Sequence, residues 1–269
     1  MKKQCKIMGI LLATALVIMT GCTQGSDDAV SEIVPGQSDL EYVLSKGTLV
    51  VGITDFAPMD YRNGEEWVGF DAELAAAFAD NLGVKLELKE IDWDKKTDLL
   101  AKGSIDCIWN AMTMTADLQE TISCSDPYLS NAQVVVLRSN ELQQHDTIES
   151  CQHLLFAVEA GSMGESLLTE KKYRFTTYST QAQALESVSS KKADATVIDI
   201  IMAEYYAGDG REFEDLDFAI TLNDEKICVG FRKDSDLTEK ANGFLRDAYE
   251  NGTISSLASK YGIENAVLK

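Results

Sequence analysis

Asp199 closes an apolar run, Ala195-Thr196-Val197-Ile198, that reads as a buried strand. Burying a carboxylate is costly unless a partner meets it. Asp199 is therefore a candidate to hold a positive group, with a cap on the helix expected at Ile200–Tyr206 as the plain alternative. Gly161-Ser162-Met163-Gly164 is a turn opening a helix, and N–H groups at a helix start suit an anion, which makes Ser162 and Met163 candidates. Glu159 precedes that turn and is placed either to meet a basic group or to face solvent. Thr113 lies in the turn Met112-Thr113-Met114-Thr115 after a strand end. Its hydroxyl and amide could bond a carboxylate, with the Ala111 carbonyl on the amino side; a threonine there could equally be a cap. No Ser-His-Asp order, phosphate-binding loop or metal cluster is present. The only histidines are His145 and His153 and there is no C-x-x-C, which argues against a zinc site. No cofactor is expected.

These residues need a scaffold, and 269 residues with 45% apolar content suffice for one large or two ordinary domains. The net charge of −20 disfavours nucleic acid and anionic lipid as partners. Residues 1–21 read as a signal peptide: Lys2, Lys3 and Lys6 precede an apolar or small run, Ile7 to Met19, too short to span a bilayer. Met19-Thr20-Gly21-Cys22 resembles the lipobox of bacterial lipoproteins, although Met19 stands where leucine is usual. That resemblance implies acylation of Cys22 and an extracytoplasmic protein held to the membrane by lipid alone. Removing 1–21 takes away three lysines and no acids, so the charge becomes −23. Residues 22–39 read as a flexible tether. Cys107, Cys124, Cys151 and Cys228 remain, in a spacing that is no disulfide framework.

From Leu40 strand and helix signals alternate. Strands are expected at 48–53, 84–90, 105–109, 133–138, 154–159, 193–198 and 226–232. Helices are expected from an Asp71 cap to Gly83, at 94–101, after Gly164, and at 181–190, 200–206, 237–250 and 254–261. Such β-α-β succession predicts an α/β protein with mostly parallel sheets, binding ligand at the carboxyl ends of strands.

The ordered motifs GTLVVGITDFAPMDY, VGFDAELAAAFADNLG, the D-W segment at 92–93, the G-x-x-D strand with MTMT, SCSDPYLSNAQVVVLR, FAVEAGSMGESLL, KKADATVIDIIMAEYY and the closing VGFRKDSDLTEKANGFLRDAYENG resemble the type II periplasmic binding proteins of polar amino acid uptake. The resemblance covers Gly47 to Gly262. It implies two doubly wound α/β lobes joined by two hinge strands, with the ligand cleft between. Lobe one would be 40–128 plus 229–269, lobe two 133–225, with hinges near Tyr128–Ala132 and Glu225–Val229. It implies a monomer that closes on a small amino-acid-like solute and delivers it to an ABC permease.

The resemblance also assigns walls. Phe56 and Trp93 match aromatics that pack on the ligand; both could instead be core. Asp199 matches the aspartate that meets the ligand's ammonium, and Asp55 and Glu159 are possible acidic contacts. The family's carboxylate-gripping arginine is missing: Leu118 stands there, and no Lys or Arg lies between Lys102 and Arg138. Losing that partner costs roughly 2–5 kcal/mol. Either Asn110, Thr113 or backbone amides take the role, or the ligand is an amine or other cation without an α-carboxylate. A sensory binding module and a cyclohexadienyl-dehydratase-like enzyme with a carboxylate as acid or base are the alternative functions. The expectation is a binding protein, not an enzyme.

Overall fold

The structure is a computed structural model and describes residues 37–268. The signal segment, Cys22 and most of the tether lie outside the described residues. The first helix, α1 (Asp39–Lys46), starts at a capping box in which Ser38 accepts from the Glu41 N–H and the Glu41 carboxylate reaches back. Then come β1 (Thr48–Ile53), the hairpin β2 (Tyr61–Asn63) and β3 (Glu66–Val68), α2 (Phe70–Leu82) and β4 (Lys85–Glu90). A 3-10 turn at Trp93–Lys95 leads into α3 (Lys96–Ala101), followed by β5 (Cys107–Thr113), α4 (Ala116–Thr121), β6 (Ser123–Cys124) and β7 (Leu129–Asn131). The middle of the chain gives β8 (Gln133–Arg138), β9 (Leu155–Glu159), α5 (Met163–Lys171), β10 (Arg174–Tyr178), α6 (Gln181–Ser189), β11 (Ala195–Asp199), α7 (Ile200–Tyr206) and β12 (Leu216–Thr221). The chain ends with β13 (Glu225–Phe231), α8 (Leu237–Glu250) and α9 (Thr253–Tyr261).

Two sheets carry this chain. The first runs β4-β1-β5-β13-β6, with β7 also on β13; the second runs β10-β9-β11-β8-β12. Strands β4, β1 and β5 are parallel, as are β10, β9 and β11. The sheets are more mixed than the β-α-β signals predict, because β13 and β8 run antiparallel to their neighbours. Both of these strands follow directly on a passage between sheets. The chain leaves β7 for β8 at Ala132 and returns from β12 to β13 through 222–224.

Each sheet is covered on both faces, and alternation shows how. On β5, Cys107, Trp109 and Ala111 point to the side of α2 and α8, where Phe78 and Phe244 stack around Trp109. Ile108 and Met112 point the other way, into a cluster with Leu100 of α3. On β8, Val134 and Val136 meet Leu185 and Val188 of α6, while Val135 and Leu137 join the cluster holding Leu168 of α5. Each buried Val, Leu, Ile, Met or Phe among them contributes about 1.5–3 kcal/mol, which holds the helices on the sheet faces.

Several expectations need correction. Asp71 does not cap α2. The cap position is Gly69, whose φ of 136° and whose missing Cβ, otherwise 2.1 Å from the Met59 carbonyl oxygen, demand glycine. Asp71 is buried and accepts the Ala111 N–H at 2.7 Å and the Tyr128 hydroxyl at 2.8 and 2.9 Å. Strand β5 extends to Thr113, so that residue ends the strand instead of following it; pairing of Met112 and Thr113 with Cys228 and Ile227 keeps the ladder going. Strands β10 and β12, both short and wet on one side, were not foreseen.

Candidate functional site

The carboxyl ends of β1, β5, β9 and β11 converge on one cavity of about 140 Å³. One wall comes from the first sheet and its loops: Phe56, Trp93, Asn110, Ala111, Thr113 and Leu118. The facing wall comes from the second: Glu159, Ser162, Met163 and Asp199. The structure thus brings together ten of the eleven residues the sequence nominated for ligand contact. Asp55 is the exception and does not line the cavity; Glu90 and Arg62 are its charged neighbours.

Asp199 is buried at the end of β11. Its Oδ1 accepts from Asn131 Nδ2 and from Gln133 Nε2 at 3.1 Å, and its Oδ2 accepts from Gln181 Nε2. Gln181 Oε1 accepts the Asp199 N–H at 3.0 Å, closing a ring of amides around the carboxylate. The cap role is not taken: the Asp199 side chain makes no hydrogen bond to α7. Burial, reinforced by the Glu225 carboxylate and opposed by the amide bonds, pushes its carboxyl up to about 7. Three neutral dipoles do not replace the missing countercharge, so the site is poised for a cation.

Glu159 is also buried, which removes the solvent-facing reading. Burial first, then the Asp199 charge, lifts its carboxyl to about 8; Lys96 and a Gln181 hydrogen bond pull it back. Ser162 caps α5 by accepting the Glu165 N–H at 3.2 Å. The first N–H groups of α5 have no intrahelical partner and face anions favourably.

On the opposite wall, Asn110 is fully used beneath the cavity floor. Its Nδ2 donates to Asp60 Oδ2 at 2.6 Å and to the Thr54 carbonyl at 3.3 Å, and its Oδ1 accepts from Thr54 twice. It has no amide hydrogen left for a ligand carboxylate, against the role the sequence offered it. Ala111 sits in the left-handed region at φ 45°, beside a bulge in the β5–β13 ladder. That conformation costs an alanine about 1–2 kcal/mol and is held by the Asp71 carboxylate on its N–H. Thr113 donates its hydroxyl to Glu225 Oε2 at 2.8 Å. Glu225 also accepts from Asn131 and Gln133, so Thr113, Glu225 and Asp199 form one network across the two passages.

Sequence reasoning missed Lys96, Gln133 and Gln181, all of which line the cavity. Lys96 stands in the charge run Asp94-Lys95-Lys96, a composition that carries no site signal of its own. Its ammonium lies 4.5 Å from the Trp93 ring centre. It donates to the Trp93 carbonyl at 3.1 Å and to the Gly161 carbonyl, on the facing wall, at 3.0 Å. Burial lowers its pKa to about 8, with Glu159, Asp94 and Glu165 opposing. Gly161 itself has φ 73°, and a Cβ there would lie 2.6 Å from Asp94 Cα. The two walls approach this closely only because residue 161 has no side chain.

Two mixed sheets with a small charged cavity at facing strand ends define a solute-binding architecture. Residues 49–264 match the model of the bacterial extracellular solute-binding proteins, family 3, and the chain belongs to that family. It is 25% identical to the arginine-binding extracellular protein ArtP of Bacillus subtilis, over 94% of this chain and 96% of the relative. A Streptococcus pneumoniae ABC uptake transporter substrate-binding protein with bound histidine superposes with a TM-score of 0.80 at 26% identity, covering 86% of this chain and 99% of that one. The fold is that of the type II periplasmic binding proteins. The membrane-bound lytic murein transglycosylase F of Pseudomonas putida is 29% identical over 93% of this chain, which spans about half of that enzyme (51%). No described helix is long and apolar enough to cross a membrane.

Proposed function

We propose that this protein captures a small zwitterionic amino acid between two lobes and delivers it to an ABC importer. The observation that carries this is Asp199: a buried carboxylate held by three side-chain amides at the edge of the cavity has the form of an ammonium receptor. Phe56 and Trp93 wall the ligand body. With Leu118 in place of arginine, and the Asn110 amide and Thr113 hydroxyl hydrogens committed elsewhere, the ligand carboxylate falls to the N–H groups at the start of α5. The lobes are 40–128 plus 229–269 and 133–225, closing about the passages between the sheets. Cys22 is the lipid anchor, the permease is the membrane partner, and the protein acts as a monomer. The names of the relatives, arginine-binding and histidine-bound, support an amino-acid ligand.

A second reading has one observation in its favour. Carboxyls lifted to about 7 and about 8 are also what a general acid or base needs. The amide ring around Asp199 speaks for holding a charge over moving a proton. Acid release of the ligand carried by freshly purified protein, analysed by mass spectrometry, tests the proposal together with uptake of that compound by cells with and without the gene. Recovery of an amino acid whose uptake depends on the gene is expected. Recovery of none, or conversion of the compound by the purified protein, overturns the proposal.

A further inference from the structure

The Lys96 ammonium lies on the lining of the cavity. It sits over the face of Trp93, an aromatic wall of the cavity, at 4.5 Å. The Glu159 carboxylate, the second buried acid of the cavity, attracts it. Two of its three N–H groups are spent on the Trp93 and Gly161 carbonyls, which fixes the head group in place. An aromatic face, a carboxylate and two carbonyls are together the components of a cation subsite. Here the protein fills that subsite from its own chain.

The charges on the lining agree. The cavity holds two carboxylates, Glu159 and Asp199, and Lys96 is the only cation among its lining residues. Lys96 is the cation whose charge acts on Glu159, without a direct ion pair between them. Asp199, with neutral amides only, is left for the ligand's ammonium. No carboxylate of the lining remains for a second positive group, and a guanidinium or lysine side chain entering here would meet the like charge of Lys96.

We propose that Lys96 is the specificity-determining residue of this site: as a built-in cation it excludes basic amino acids and restricts the ligand to zwitterions with uncharged side chains. This rests on the reading of the cavity as an amino-acid site.

The test is calorimetric titration of the purified chain and of Lys96→Met with arginine, lysine and a panel of neutral amino acids. The unaltered protein is expected to bind at least one neutral amino acid and to bind arginine and lysine at least tenfold more weakly. Lys96→Met is expected to gain at least tenfold for arginine or lysine, while Lys96→Arg keeps the original preference. If Lys96→Met fails to fold, Lys96→Gln replaces it, with the same gain expected. An unchanged preference in the variant overturns the inference and leaves the amino-acid reading standing. So does tight arginine binding by the unaltered protein. Loss of every amino acid in Lys96→Met also overturns it, since Lys96 would then hold the ligand carboxylate. Absence of binding by any amino acid to either protein overturns both the inference and the reading beneath it.

Discussion

Replacing Asp199 by asparagine separates ligand binding from stability. In the empty protein the substitution has two opposed effects. It removes a charge whose burial is unfavourable enough to lift the carboxyl to about 7. It also sets an NH2 group where Oδ2 accepted from Gln181, leaving one donor pair unmatched, a cost of about 1–3 kcal/mol. These nearly offset above neutral pH, so the melting midpoint of the empty variant stays within a few degrees of the parent. Binding has no such offset. Loss of the charge partner to a desolvated ammonium costs roughly 2–5 kcal/mol, which is about 30- to 4,000-fold in affinity. A ligand at about 1,000 times its Kd stabilises the parent by roughly 4 kcal/mol, or about 8–16 °C at about 2–4 °C per kcal/mol. At the same concentration the variant retains about 2 kcal/mol at most, so its shift halves or vanishes. Thermal unfolding with and without the best amino acid, repeated by titration, reads both quantities. A full ligand shift in Asp199→Asn refutes the assignment of Asp199 as the ammonium receptor. A collapsed midpoint in the empty variant refutes the balance of burial against hydrogen bonding.

Other outcomes follow from the same geometry. Asp199 and Glu159 bind protons more tightly folded than unfolded, their carboxyls standing at about 7 and about 8 against 3.8 and 4.5. Their contribution to stability is thus fully present below about pH 4 and lost as pH rises through about 7–8. The midpoint of the empty protein falls across that range, and Glu159→Gln makes the fall shallower; equal slopes in parent and variant would contradict this. Leu118→Arg restores a bidentate carboxylate partner at the cavity wall and tightens amino-acid binding by tenfold or more, read by titration. Gly161→Ala places a methyl 2.6 Å from Asp94 Cα and strains a φ of 73°. It is expected to weaken binding at least tenfold by holding the walls apart, while strain lowers the stability of the empty protein by about 1–2 kcal/mol.

The fold was largely legible because its signals are local. Alternation along 84–90, apolar runs such as Val134–Leu137, and Gly83 in the left-handed conformation name their elements without tertiary help. Strands β10 and β12 escaped because their mixed burial leaves no clean period. Asp71 was misplaced because an aspartate before an apolar helix looks like a cap, and only the neighbouring Ala111 and Tyr128 reveal its burial. The site residues were legible as far as an ordered set of motifs carried them. Lys96 was not, since a lysine in a charged run has the composition of a solvated face, and its place at the cavity depends on a carbonyl 65 residues away. Gln133 and Gln181 escaped for the same reason: an amide gains meaning only from the carboxylate it meets.

The central claim is that this cavity closes on a small zwitterionic amino acid. A thermal-shift screen of the purified chain against the common amino acids, polyamines, quaternary amines and short peptides tests it most directly. A rise of about 8–16 °C with one or a few amino acids at saturating concentration is the predicted result. Shifts with amines alone, or with none of these compounds, would contradict it.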